Sequence, residues 1–110
     1  MMGNWNKIAF IDLTSSEIWF ESIDEEAWRN YLGGIGVGAY LFSKLNKLSD
    51  ALSPENPVIL AAGPLVGTSF PESGRHEVVS RSPQTGLLGE SNSGGRFGFE
   101  MKRSGLDVVV

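Results

Sequence analysis

The stretch Asn92-Ser93-Gly94-Gly95-Arg96-Phe97-Gly98 places a polar turn with two glycines between an apolar strand pattern and a segment at helical spacing. Such a turn leaves backbone N–H groups that few side chains obstruct, and groups of this kind bind anions. Gly74-Arg75 lies upstream and Arg81 follows it, so guanidinium groups can converge on whatever the loop holds. The implied chemistry is phosphate binding. A plain strand-to-helix turn, with Asn92 or Ser93 as the helix cap and the glycines relieving strain, accounts for the same residues.

Other chemistries find less support. Along a strand, Arg75, Glu77 and Val79 fall on one face and His76, Val78 and Ser80 on the other, and Arg81 joins the first face if no bulge intervenes. His76 and Glu77 therefore point apart and form no simple acid–base pair. A lone histidine reads as a hydrogen-bonded structural residue, and Arg81 as a solvated strand residue. Ser69, Ser73, Ser80 and Ser93 show no nucleophile-elbow pattern, and Glu72, Glu77 and Glu90 are not spaced as a metal set. With no cysteine and one histidine, the 110 residues supply neither a disulfide nor the ligands of an iron–sulfur cluster or a histidine-rich metal site.

The elements that must position the turn follow from periodicity. Trp5–Leu13 and Glu17–Ile23 flank Thr14-Ser15-Ser16 as a β-hairpin, with Trp5, Trp19 and Phe20 read as core or edge packing. Ser22-Ile23-Asp24-Glu25 has a capping-box pattern and should start a helix. Trp28, Tyr31, Leu32 and Ile35 form one helical stripe, and Val37, Tyr40, Leu41, Leu45 and Leu48 a second. Gly33, Gly34, Gly36 and Gly38 predict a break between them, with restart near Gly36 and close approach of another backbone or a ligand. A helix before these glycines, and a spacing other than G-x-G-x-x-G, set aside a dinucleotide fingerprint.

Val58–Ala62 reads as a strand buried on both faces, and Leu65–Gly74 as a long loop that is a candidate wall for a site. Arg75–Ser82 and Leu87–Ser91 pair as a second hairpin around Pro83-Gln84-Thr85-Gly86. Phe97 and Met101 suit a short amphipathic helix ended by Ser104-Gly105. Leu106–Val110 begins a further strand, which suggests a larger parent. The fold expected is α+β, a mixed or antiparallel sheet with a long broken helix and a short one.

Residues 1–55 hold four basic and eight acidic side chains and residues 56–110 five of each, so the net charge of −4 is wholly N-terminal. That balance argues against non-specific nucleic-acid binding. No apolar run approaches the roughly 20 residues of a membrane span, and no secretory signal opens the chain, so the expected location is the cytoplasm.

Several blocks stand in order: Tyr31-Leu32-Gly33-Gly34-x-Gly36-x-Gly38-Ala39-Tyr40-Leu41, Leu52-Ser53-Pro54-Glu55-Asn56, Ala61-Ala62-Gly63-Pro64-Leu65-x-Gly67-Thr68, Gly74-Arg75, Ser82-Pro83-x-Thr85-Gly86 and Asn92-Ser93-Gly94-Gly95-x-Phe97-Gly98. Through them the chain resembles the N-terminal domain of tungsten-containing aldehyde ferredoxin oxidoreductases. The resemblance implies a tungsten (or molybdenum) bis-pterin cofactor, magnesium bridging the pterin phosphates, oxidation of aldehydes to carboxylic acids, and ferredoxin as electron acceptor. It also implies that Asn92, Ser93, Gly94 and Gly95 lie at the pterin phosphates, with Asn92 at the magnesium, and that Arg75 reaches between pterin and an iron–sulfur cluster of the parent protein. Residues 1–110 match the first half of a duplicated domain. Ile35 and Arg96 depart from the basic and aromatic residues expected there. Alone, the chain is expected to be inactive towards aldehyde and to associate as a homodimer or with its missing second half. The alternative is a non-catalytic, self-associating binding or assembly module that keeps the fold without the cofactor.

Overall fold

The computed structural model describes residues 3–45 and 50–110. Six strands form one mixed sheet: β1 (Ile8–Asp12), β2 (Glu17–Glu21), β3 (Ile59–Ala62), β4 (His76–Arg81), β5 (Leu88–Ser93) and β6 (Val108–Val109). Their spatial order is β2-β1-β6-β3-β4-β5. Only β1 and β6 run parallel, and every other neighbouring pair is antiparallel. Three helices, α1 (Glu25–Tyr31), α2 (Gly34–Leu45) and α3 (Phe97–Arg103), complete the expected α+β architecture.

The period-2 pattern of the strands divides the sheet into two faces. Ile8, Phe10, Ile59, Ala61, Val79 and Val108 bury one face against Trp28 of α1 and Val37, Leu41 and Phe42 of α2. On the other face a smaller cluster joins Ala62, Val66 and Met101, with Leu106 and Val109 packed against it. β3 is thus covered on both sides, although Val58 stays outside the strand and exposed. Trp5, Trp19 and Phe20 pack at edges rather than in the core: Trp5 Nε1 donates to the Lys102 carbonyl, and Trp19 stacks on Phe10 across the β1–β2 hairpin.

Three expectations change. The capping box does not form: Asp24 is the α1 N-cap without a side-chain bond, and Ser22 lies two residues too early. The first stripe ends at Trp28, because Leu32 adopts φ +65° and resets the helical phase, leaving Tyr31, Leu32 and Ile35 exposed. The helix restarts at Gly34, not Gly36. Leu48 of the second stripe lies outside the described residues. The close approach predicted for the glycines is present at Gly36, where a Cβ would stand 2.2 Å from the Tyr31 carbonyl oxygen, so the turn between the helices closes only around a hydrogen.

A buried ion pair ties the chain ends to α3. Lys102 Nζ lies 2.7 Å from Asp107 Oδ1, and the Asp107 carboxylate also accepts the Trp5 and Lys7 backbone N–H groups at 3.1 Å each. The ion pair itself is local, but no local pattern announces the bonds from Trp5 and Lys7, which lie about a hundred residues from Asp107 in sequence.

Candidate anion site

The second hairpin positions the site. Its register runs unbroken from His76↔Ser93 to Arg81↔Leu88, so β5 extends to Ser93, and Asn92 and Ser93 belong to the strand rather than to the turn. Ser82 N–H donates to the Leu87 carbonyl at 2.7 Å. Counting in twos from that bonded pair makes Glu77–Asn92 a non-hydrogen-bonded pair, in which the side chains come closest and the backbone groups turn away from the partner strand. The N–H and C=O of Asn92 therefore face the free edge of the sheet, because β5 is its last strand.

The side chains of that pair make a directed chain. Asn92 Nδ2 donates to Glu77 Oε1, and Arg75 Nε donates to Asn92 Oδ1. With Nε engaged, the two terminal nitrogens of Arg75 remain for an external acceptor, and the side chain is exposed. An ideal Cβ on Gly94 would stand 3.0 Å from Arg75 Nη1, and one on Gly74 would stand 2.8 Å from the Gly95 carbonyl oxygen. Gly94 leaves room for the guanidinium, and Gly74 lets the entry to β4 lie against the Gly94-Gly95 turn. Gly95 itself has φ +95°. The five residues expected at the site, Arg75, Asn92, Ser93, Gly94 and Gly95, thus stand together on one exposed edge.

Several expectations about the surroundings are corrected. Asn92 and Ser93 do not cap α3, whose N-cap is Arg96 without a side-chain bond. Arg81 shares the Arg75 face, but six residues of strand separate them by about 20 Å. Its Nη1 donates to the Gly86 carbonyl, and its guanidinium lies over the Phe42 ring at 5.8 Å. His76 is buried on the opposite face, its ring 4.9 Å from that of Phe97, and its Nδ1 has no hydrogen-bond partner among the described residues. The structural role holds, but its basis is packing. Arg96 turns away to Glu100 at 2.8 Å.

Glu77 and Glu90 were not singled out by spacing. The signal was present, because extending the hairpin register from its turn sets Glu77 opposite Asn92 and Glu90 opposite Val79, on the same face. The hydrogen bond between the two carboxyls, then their mutual repulsion, pushes Glu90 above the usual carboxylate range. Among the described residues no group of three or more His, Cys, Asp or Glu side chains could hold a metal. The Asn92 amide is engaged at both ends, whereas its free-edge main-chain carbonyl turns away from the partner strand. A groove of about 810 Å³, bordered by Leu13, Trp19, Val58 and Val110, shares no lining residue with this edge. No helix among the described residues is long and apolar enough to cross a membrane.

Fold and site define a mixed-sheet α+β domain that presents an arginine and a glycine turn at one open edge. Residues 8–110 match the family model described as aldehyde ferredoxin oxidoreductase, N-terminal domain, and the chain belongs to that family. Over its whole length it is 46% identical to the tungsten-containing aldehyde ferredoxin oxidoreductase of Pyrococcus furiosus and 43% identical to that of Thermococcus kodakarensis. It spans 18% of the length of each. A solved structure, the active site complex BamBC of benzoyl coenzyme A reductase with 1,5-dienoyl-CoA, superposes with a TM-score of 0.93 at 33% identity. That match covers 98% of this chain and 17% of the other.

Proposed function

We propose that this chain supplies one phosphate-binding edge for the pterin cofactor of a tungsten-dependent oxidoreductase that converts aldehydes to carboxylic acids. The observation that carries the reading is the placement of Arg75, with its terminal nitrogens unengaged, against the Gly94-Gly95 turn, where a Cβ on Gly94 would stand 3.0 Å from its Nη1. The residues fit the group: Arg75 offers a fork of donors to phosphate oxygens, and the turn bares its backbone. Asn92 would meet magnesium through its main-chain carbonyl, which suits a hard cation that takes oxygen ligands. When bound, the tungsten bis-pterin supplies the two-electron redox chemistry.

In this reading the chain's own residues bind and orient. Arg75 neutralises phosphate charge, and the Asn92 amide aims it. The chain forms the first half of a duplicated domain, with the iron–sulfur cluster, the aldehyde pocket and the ferredoxin contact contributed by the rest of a parent protein in the cytoplasm. Isothermal titration with magnesium pyrophosphate tests the edge: saturable binding that Arg75→Ala abolishes is the expected result, and no heat of binding by the wild-type chain would contradict it.

A second reading rests on a different observation. Ile18 and Phe20 are 64% and 56% exposed on β2, the opposite edge strand, which presents unpaired backbone beside apolar side chains. A self-associating module without cofactor would pair there, as would a homodimer that replaces the missing half. Light scattering distinguishes them by whether dimer persists while pyrophosphate fails to bind.

A further inference from the structure

We propose that Glu77 is a positioning residue of the anion edge, setting the direction of the Arg75 guanidinium through the Asn92 amide. The inference rests on the phosphate reading only for its consequence; the geometry stands by itself. An asparagine amide has a donor end and an acceptor end, and the two orientations differ only by exchange of N and O. Glu77 is an acceptor when ionised, so it selects the orientation in which Nδ2 faces Oε1. That choice leaves Oδ1 on the opposite side, where Arg75, which has donors only, delivers its Nε–H. The flipped amide would set oxygen against carboxylate and NH2 against guanidinium. A single carboxylate at the base of β4 thereby fixes the arginine two residues before it.

The placement of the three side chains supports this role. Glu77 and Asn92 are directly opposed in a non-bonded pair, where side chains approach most closely. Glu77 is half-buried behind α2, with its Cγ 3.8 Å from the Cβ position of Gly34, whereas Arg75 and Asn92 are exposed. The buffered member of the chain is thus the one that sets direction, and the exposed member is the one that meets the ligand. Nη1, standing against Gly94, is the nitrogen this arrangement presents at the turn.

The test combines the Arg75 Nε–H resonance in a 1H–15N spectrum, assigned by its loss in Arg75→Lys, with the affinity for inorganic pyrophosphate. The isosteric Glu77→Gln can donate or accept, so it removes the directional rule. The Arg75 Nε–H resonance should shift and broaden, and pyrophosphate should bind about tenfold more weakly. Glu77→Gln combined with Asn92→Asp rebuilds the chain with the charge moved, glutamine donating to aspartate and aspartate accepting from Nε–H. The resonance should then return, which a merely structural glutamate would not produce. If Glu77→Gln fails to fold, Asn92→Ala takes its place and must shift the same resonance. An unchanged resonance and affinity in a folded Glu77→Gln or Asn92→Ala variant overturns the proposal. A wild-type chain that shows the resonance pattern but binds no pyrophosphate supports the positioning and sinks the phosphate reading.

Discussion

Lys102 Nζ and Asp107 Oδ1 meet at 2.7 Å with side chains 6% and 0% exposed, joining α3 to β6 while Asp107 also holds the backbone of Trp5 and Lys7. A buried pair of this kind is weak evidence of net stabilisation, but removal of one partner leaves the other's charge buried without its counter-ion. Asp107→Ala should therefore cost about 3–5 kcal/mol in urea unfolding. Lys102→Met should cost less, because Asp107 keeps its two N–H donors. Equal, small effects of both would show that the pair is not buried in solution.

The helix junction gives a prediction opposite to propensity. Alanine favours a helix over glycine by about 1 kcal/mol, yet at position 36 its Cβ would enter the space of the Tyr31 carbonyl oxygen. Gly36→Ala should destabilise the chain by about 1–3 kcal/mol, the usual range for overpacking. A raised Tm for Gly36→Ala would refute the geometry of the α1–α2 turn.

Glu90 makes stability depend on pH. Its carboxyl is raised by the hydrogen bond to Glu77 and then by repulsion from it, so the fold favours the protonated form. The resulting contribution is complete below the ordinary carboxylate value and is lost as pH rises through the raised value. Glu90→Gln retains a donor towards Glu77 and cannot ionise. In metal-free buffer the variant should match the wild type in acid and exceed it in Tm above the raised value. Parallel Tm curves from pH 4 to 8 would contradict the assignment.

Much of the fold was legible where one period dominates. The two hairpins, the buried β3 and the α2 stripe follow from alternation, turn residues and helical spacing. Periodicity failed at Leu32, whose positive φ ends one helix and resets the phase of the next, so Tyr31 and Ile35 left the predicted stripe. Asn92-Ser93 resembled a loop because an exposed edge strand carries polar residues on both faces. At the candidate site, the glycines and Arg75 singled out in the sequence come together, but the connection through Glu77 was not legible. Glu77 acts through a cross-strand pair fixed by register, and Asp107 through bonds to Trp5 and Lys7 that only the tertiary fold brings to it.

The central claim is the location of anion binding. Titration of the 15N-labelled chain with magnesium pyrophosphate, followed by 1H–15N chemical shifts, tests it most directly. Saturable shifts should concentrate at Gly74, Arg75 and residues 92–96, and should weaken in Gly94→Ala, where the added Cβ would stand 3.0 Å from Arg75 Nη1. Shifts centred instead on the groove at Leu13, Trp19 and Val58, or a wild-type response that Gly94→Ala leaves intact, would contradict the assignment of this edge as the phosphate site.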